Sequence, residues 1–411
     1  MAGCNTSEVA DWLADGARSA SLPEEVLAQL CKRLVACGIP LWRVAVFVRT
    51  LHPQVTGRRF LWRPEAGVEI GELPFERLDT AEYLDSPVVR LYATSAPMRR
   101  RIVEEGEAAD FAVLRDLRAQ GATDYLASPL LFSDGTVHAV TWATRDRGGF
   151  TDEHIAGLEA VVAPLARVAE TYALRRTART LLDTYVGRQA GERILSGQIR
   201  RGHTEAIRAA IWLSDMRGFT ALADRLSPQA LISLLNRYFD CQVPPIIEHG
   251  GEVLKFMGDG LLAIFPLDIE GNVKPVCDQA LAAADESRRR IGELASATVA
   301  DGVVDLRCGI ALHLGEVLYG NIGGGNRLDF TCIGPAVNLA ARLEELAGRL
   351  GRSVIVSSDF AAHCALPLTP LGQFALSGFV APQSAYGLVD EASAFGLQLV
   401  QAFTPSAPPP R

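Results

Sequence analysis

Two aspartates stand where a folded chain can bring carboxylates together. Asp215 closes the apolar run 207–214, and Asp259 sits within Met257-Gly258-Asp259-Gly260, between the runs 251–255 and 261–265. Turns at the ends of neighbouring strands can set two such carboxylates side by side. A carboxylate pair is an oxygen donor set for hard divalent cations such as Mg2+. Each residue also has an ordinary reading: Asp-Gly is a common turn dipeptide, and Asp215 can cap the next helix. After Asp215, the segment Arg217-Gly218-Phe219-Thr220 reads as a glycine-containing passage from strand to helix, whose backbone amides can cradle phosphate oxygens. Asn338 and Arg342 lie four apart on a helix-like run and share a face. On that face Arg342 can equally form a surface pair with Glu344 or Glu345.

The elements that must position these residues alternate between strand and helix. The apolar run 207–214 predicts a strand. Ser227-Pro228 predicts a capped helix start, and Leu231, Leu234, Leu235 and Tyr238 fall on one face of that helix. Runs 251–255, 261–265 and 307–314 predict strands, and 336–346 a helix. The first part of the chain reads differently. Trp42 to Val48 and Arg59 to Trp62 are strand-like, and 125–132 and 137–142 flank Ser133-Asp134-Gly135-Thr136, a hairpin signal. Thr151 or Asp152 can cap a long helix carrying Ile155, Leu158, Val162, Leu165, Ala169 and Tyr172 at intervals of three and four. That stripe suits either a short parallel coiled coil or packing on its own domain. Pro164 should bend it. Five segments result: an arm (1–21), a first domain (22–172), a charged helical linker (173–204) weakened by Gly187, Gly191 and Gly197, a second domain (205–390), and a Pro-rich tail expected to be disordered (391–411).

Composition narrows the function. A chain of 411 residues with 48% hydrophobic content suits two folded domains. No run approaches the ~18 apolar residues of a membrane helix, and Met1 to Glu8 lacks the features of a secretory signal. The eight cysteines are scattered without Cys-x-x-Cys or zinc spacing, which predicts reduced thiols and a cytoplasmic protein. A net charge of −8 argues against nucleic-acid binding, and Arg99, Arg100 and Arg101 read as a solvated cluster.

Taken together, Leu213-Ser-Asp-Met-Arg-Gly-Phe-Thr220, Lys255-Phe-Met-Gly-Asp-Gly260 and Val337-Asn-Leu-Ala-Ala-Arg-Leu-Glu344 resemble the catalytic core of the class III nucleotidyl cyclases. The resemblance implies a ferredoxin-like (βαββαβ-type) domain of mixed α+β and α/β character. It also implies conversion of a nucleoside triphosphate to its 3′,5′-cyclic monophosphate and pyrophosphate. By the same resemblance, Asp215, Asp259 and the Met216 carbonyl hold Mg2+ or Mn2+, two per active site. Gly218, Phe219 and Thr220 receive the phosphates, Asn338 orients the ribose, and Arg342 stabilises charge in the transition state. Lys255 and Thr331 match the base-reading pair. A Lys donor and a hydroxyl acceptor fit the edge of adenine, so ATP is the expected substrate and cyclic AMP the product. The alternatives are a guanylate cyclase and a catalytically silent regulatory protein. The family's late Leu-Lys-Gly segment is here Leu376-Ser377-Gly378, so either another cation, such as Arg217, serves the terminal phosphates or ATP binding is weaker. Family sites are shared between two catalytic domains, so this chain should act as a two-fold symmetric homodimer. The first domain resembles a GAF-type sensory domain, with an unidentified small-molecule or ionic effector; the alternative is an α+β dimerisation domain with no ligand.

Overall fold

Strand-forming runs rich in Val, Phe and Trp build a six-stranded antiparallel sheet in the first part of the chain. In the computed structural model its strands are β1 (Arg43–Arg49), β2 (Val55–Arg63), β3 (Gly67–Pro74), β4 (Met98–Arg101), β5 (Asp124–Leu131) and β6 (Val137–Thr144), in the order β3-β2-β1-β6-β5-β4. The structure describes residues 5–102, 111–267, 272–298, 306–325 and 327–389. The tail expected at 391–411 lies outside them. The chain divides into two units, Met1–Thr184 and Tyr185–Arg411.

Side chains alternate across a strand, so each face of the first sheet has its own cover. Val44, Val46, Trp62, Val140 and Trp142 share a core with residues of the helices Thr6–Ala14, Pro23–Ala36 and Asp152–Tyr185. Residues set apart as an arm thus place Val9 and Leu13 in that core. On the opposite face, Tyr125, Ala127, Ala139 and Ala143 pack with Leu91, Leu114 and Leu117 of the helices Pro87–Thr94 and Ala112–Ala119. The hairpin at 133–136 forms as expected; Gly135 has φ +83°, a conformation that L side chains rarely adopt.

Two expectations change. Arg99 is not a solvated cation: it bonds to Asp124 (2.7 Å), which is fully buried, and to the Phe150 carbonyl. Cys37 is disulfide-bonded, whereas Cys31, Cys241, Cys277, Cys308, Cys332 and Cys364 are free thiols. The Asp152–Tyr185 helix continues past Pro164 and into the segment read as a helical linker. Its stripe faces its own domain: Leu158 and Leu165 are buried there, with Ile155, Val162, Ala169 and Tyr172 against them. Thr151 accepts the His154 amide at 3.2 Å, as a cap should.

The second unit holds an eight-stranded sheet: β7 (Thr204–Arg217), β8 (Glu252–Met257), β9 (Gly260–Pro266), β10 (Arg307–Gly324), β11 (Arg327–Ile333), β12 (Val354–Ser357), β13 (Leu368–Phe374) and β14 (Gln383–Leu388). Its order is β13-β14-β12-β10-β7-β9-β8, with β11 paired to β10. Between β7 and β8 lie the helices Phe219–Arg225, Pro228–Asp240 and Val243–Glu248; between β9 and β10 lies Val273–Thr298. The run β7–β10 is therefore a βαββαβ unit with order β10-β7-β9-β8, the ferredoxin-like arrangement. One face packs Trp212 and Phe265 against Tyr238, Leu281 and Ala284 of these helices. The other packs Ile211 and Ile264 with Ala336 and Ala340 of the helix Pro335–Leu350, and with Ala190 of the helix Arg188–Leu195. Gly187 (φ +93°) caps that last helix, which begins where the connector was expected to weaken. Among the described residues, no helix is long and apolar enough to cross a membrane.

Candidate active site

Strand register brings the two aspartates together. Ser214 of β7 lies opposite Leu261 of β9, so the next residue, Asp215, faces the turn that holds Asp259 and Gly260. A Cβ on Gly260 would come within 3.0 Å of the Ser214 carbonyl and 3.4 Å of Asp215 Oδ1. Glycine keeps that space clear for the carboxylate. Beneath it, Ser214 Oγ donates to Oε1 of the buried Gln242 at 2.6 Å, fixing the end of β7.

The carboxyl of Asp215 is pushed up to about 6, first by burial and then by the charge of Asp259 and a hydrogen bond with it. Two adjacent carboxylates cannot both ionise at ordinary cost. Arg217, the nearest compensating cation, is committed elsewhere: it forms a 2.7 Å ion pair with Glu344 and donates to the Glu344 carbonyl at 2.9 Å. The guanidinium crosses Gly309 of β10, where a Cβ would sit 1.8 Å from its Nη2, and it also passes Gly348. Burial pushes Glu344 up to about 7 despite this pair. Arg217 is therefore not the spare cation foreseen in place of Ser377, which lies exposed in a turn.

The pair fits a divalent cation. Its excess negative charge lacks a free counter-ion, and its four oxygens are the donors a hard cation takes. Among the described residues no group of three or more His, Cys, Asp or Glu gathers to hold a metal. Backbone carbonyls, water or substrate oxygens would complete the shell. Met216, whose carbonyl is the expected extra ligand, is itself buried.

The remaining expected residues fall into three places. Gly218, with φ +74°, caps the helix Phe219–Arg225 and starts it directly after Asp215, Met216 and Arg217, with Thr220 in its first turn. Lys255 reaches β11, but there its Nζ donates to Asp329 at 2.8 Å rather than to Thr331. Asp329 and Thr331 are two apart and so lie on one face of the strand. Asn338 is exposed on the Pro335–Leu350 helix, and Arg342 pairs with Glu345 at 2.6 Å. Among the described residues, no hydrogen bond or ion pair joins Asn338 or Arg342 to Asp215 or Asp259. Asp329, Glu344 and Glu252 are the site's unforeseen members. Glu252 is buried on β8; it accepts from Tyr319 Oη (2.7 Å) and from the Ala190 amide (3.2 Å), tying the Arg188–Leu195 helix to the strand that carries Lys255. A lone Glu two residues before an apolar Leu-Lys step is the only trace of this in the sequence.

Residues 203–378 match the family model of the Adenylate and Guanylate cyclase catalytic domain, and this span contains every element of the site. The second unit is a class III cyclase catalytic domain. Over 169 residues it is 29% identical to an adenylate cyclase of Anabaena cylindrica, covering 41% of this chain and 33% of that one. Over 163 residues it is 30% identical to adenylate cyclase 1 of Rhizobium meliloti (strain 1021), covering 39% and 24%. The crystal structure of the adenylyl cyclase CyaB from P. aeruginosa aligns with a TM-score of 0.42 and 28% identity, over 46% of this chain and 96% of that one. The chain thus covers only 33% and 24% of the length of the two curated relatives. Within the cyclase domain, the Asp215–Asp259 pair lies at adjoining strand ends, and the Lys255–Asp329 pair joins β8 to β11.

Proposed function

We propose that the chain is an adenylate cyclase that converts ATP to 3′,5′-cyclic AMP and pyrophosphate, acting as a two-fold homodimer whose sites are shared between copies. The observation that carries this reading is the uncompensated Asp215–Asp259 pair inside the matched span. Two divalent ions, held by Asp215, Asp259 and the Met216 carbonyl, would activate the 3′-hydroxyl and screen phosphate charge when bound. The chain's own residues do the positioning. Amides at Gly218, Phe219 and Thr220 receive triphosphate oxygens at a helix start. Asn338 orients the ribose, and Arg342 leaves Glu345 to meet charge developing on the phosphates in the transition state. One copy supplies the aspartates, and the other supplies Lys255, Thr331, Asn338 and Arg342.

In this reading Lys255 donates to adenine N1 and Thr331 accepts from the N6 amino group, with Asp329 holding the lysine. Guanine presents the opposite pattern there. The first unit acts as a GAF-like sensory module, and the Glu252–Ala190 bond is a physical route from the connector into the site. Turnover of ATP and GTP by the purified chain with Mg2+ or Mn2+ tests the reaction. Lys255→Glu with Thr331→Cys should lower the ATP-to-GTP ratio of kcat/KM by about tenfold or more, since inverted hydrogen bonds in a closed pocket cost about 1–3 kcal/mol each. An unchanged ratio would remove both residues from base recognition.

A further inference from the structure

The first sheet carries a cavity of about 1060 Å³ that the cyclase reaction does not use. Cross-strand register explains its floor. Arg43 of β1 lies opposite Ala143 of β6, which lies opposite Tyr125 of β5; Thr141 is opposite Ala45 one pair along. Arg43, Phe47, Tyr125 and Thr141 therefore share one face of the sheet, and all line the cavity together with Tyr92.

The polar groups on this floor are unusual in being unmatched. Arg43 is 9% exposed. Its guanidinium has no hydrogen bond or ion pair among the described residues; its charged neighbours are Arg59 and Arg63, and burial lowers its affinity for its proton. Among the other lining cations, Arg58 holds Glu72 at 2.6 Å and Arg59 reaches Glu69 at 3.2 Å, while Arg49 lies 5.7 Å from the Tyr92 ring centre and Arg77 is exposed. The Thr141 hydroxyl is 1% exposed and sits beside the Tyr125 phenol without completing a hydrogen bond. A buried cation with no counter-charge is expensive. The Arg43 guanidinium, which can only donate, and the unpaired Thr141 hydroxyl beside it call for an acceptor from outside. A planar guanidinium prefers a carboxylate or phosphate, which it can grip with two parallel N–H bonds.

We propose that this cavity binds a small organic oxyanion, a carboxylate or phosphate ester with an apolar body, whose charged end rests on Arg43 and Thr141. The volume far exceeds that of an inorganic anion and matches pockets that enclose molecules of drug size. The rings of Phe47 and Tyr92 supply apolar wall for the body. The site lies within the first unit, so it stands or falls independently of cyclase turnover.

The test is calorimetric titration of the full chain with 2-naphthoate and with phenyl phosphate, using inorganic phosphate and neutral 2-naphthalenemethanol as references. At least one organic anion should bind about tenfold or more tightly than either reference. Arg43→Met should weaken that binding by about tenfold or more while leaving the probe-free Tm unchanged or raised, because it removes an unpaired buried charge. Thr141→Val should weaken binding by a smaller factor in a protein of parental Tm. The proposal is overturned if neither anion binds the parent, if the neutral alcohol binds equally well, or if both variants bind as the parent does. It is equally overturned if Arg43→Met fails to fold or loses several degrees of Tm, since Arg43 would then be a structural residue.

Discussion

Replacing Asp259 by Asn should change the protein's stability in opposite directions with and without a divalent cation. Without metal, Asp215 and Asp259 oppose each other: the Asp215 carboxyl moves from 3.8 to about 6, with burial the larger cause and Asp259 the next. The whole displacement is worth roughly 3 kcal/mol, and Asp259 contributes to it through both its charge and a hydrogen bond. Discounted for partial solvent screening, its share is about 1 kcal/mol. Asp215 binds its proton more tightly folded than unfolded. Its contribution is therefore fully present below about pH 4 and lost as pH rises through 6. Asn at 259 should recover that ~1 kcal/mol only above about pH 6, or about 2–4 °C in Tm for a unit of this size. With metal at ~100 times its Kd the parent gains about 2.7 kcal/mol, which the variant, lacking half the carboxylate pair, should not. Melting curves at pH 8 in EDTA and in MgCl2 read both signs, and cyclic AMP formation by the same samples should fall by ~100-fold or more in the variant. A variant less stable than its parent in EDTA, or equally stabilised by Mg2+, would refute the metal pair.

Mixing inactive Asp259→Ala chains with inactive Arg342→Ala chains should restore activity, because one of the two sites in a heterodimer is then intact; no recovery despite proven subunit exchange rules out shared sites. Arg217→Ala should destabilise the second unit by roughly 2–4 kcal/mol in denaturant titration, since it strands a buried Glu344. Adding Glu344→Leu should recover most of that loss. His138 and His313 are buried and held down to about 4, mainly by burial. Each contributes stability that is present above pH 6.5 and lost as pH falls from 6.5 to about 4, about 1.4 kcal/mol per unit per histidine; His313→Gln should flatten that acid limb for the second unit alone.

Local pattern carried much of the fold into view, and the pairings across it much less. Alternation and turn chemistry suffice for β1, for the β5–β6 hairpin at Asp134-Gly135, and for the strands that end in Asp215 and Asp259, because those signals act within a few residues. The charges behaved otherwise. Arg99 meets Asp124, Lys255 meets Asp329, and Arg217 meets Glu344 across 25, 74 and 127 residues. Nothing in Glu344-Glu345 says which of two adjacent acids turns inward. The structure decides it through Gly309 and Gly348, whose missing side chains leave the slot that Arg217 fills. The same holds for Arg43, a strand residue whose sequence neighbours do not reveal that no acid among the described residues bonds to it.

The surface around Lys255 gives the shared-site reading its physical footing. Phe256 and Met257 at the end of β8 are 52% and 42% exposed, and Leu318, Leu328 and Ile333 on β10 and β11 are 46%, 36% and 46% exposed. Leu318 and Ile333 face each other across the ladder, so these apolar groups cluster on strands that also carry Lys255, Asp329 and Thr331. Exposed apolar groups gathered on such strands suit a contact face. On the proposed shared-site reading a second copy of the chain occupies it, because a two-fold partner resting there would bring its own aspartate pair toward the strands that carry Lys255 and Thr331. Asn338, exposed, and Arg342, half-buried and paired with Glu345, make no bond to the aspartates of their own chain, and on that reading they would act on substrate held at the aspartates of the other copy. Placing a charge on that apolar face tests this directly: Phe256→Glu should leave the far-UV circular dichroism unchanged, shift the chain from dimer to monomer in sedimentation, and abolish cyclic AMP formation. A Phe256→Glu chain that still sediments as a dimer would place the contact elsewhere.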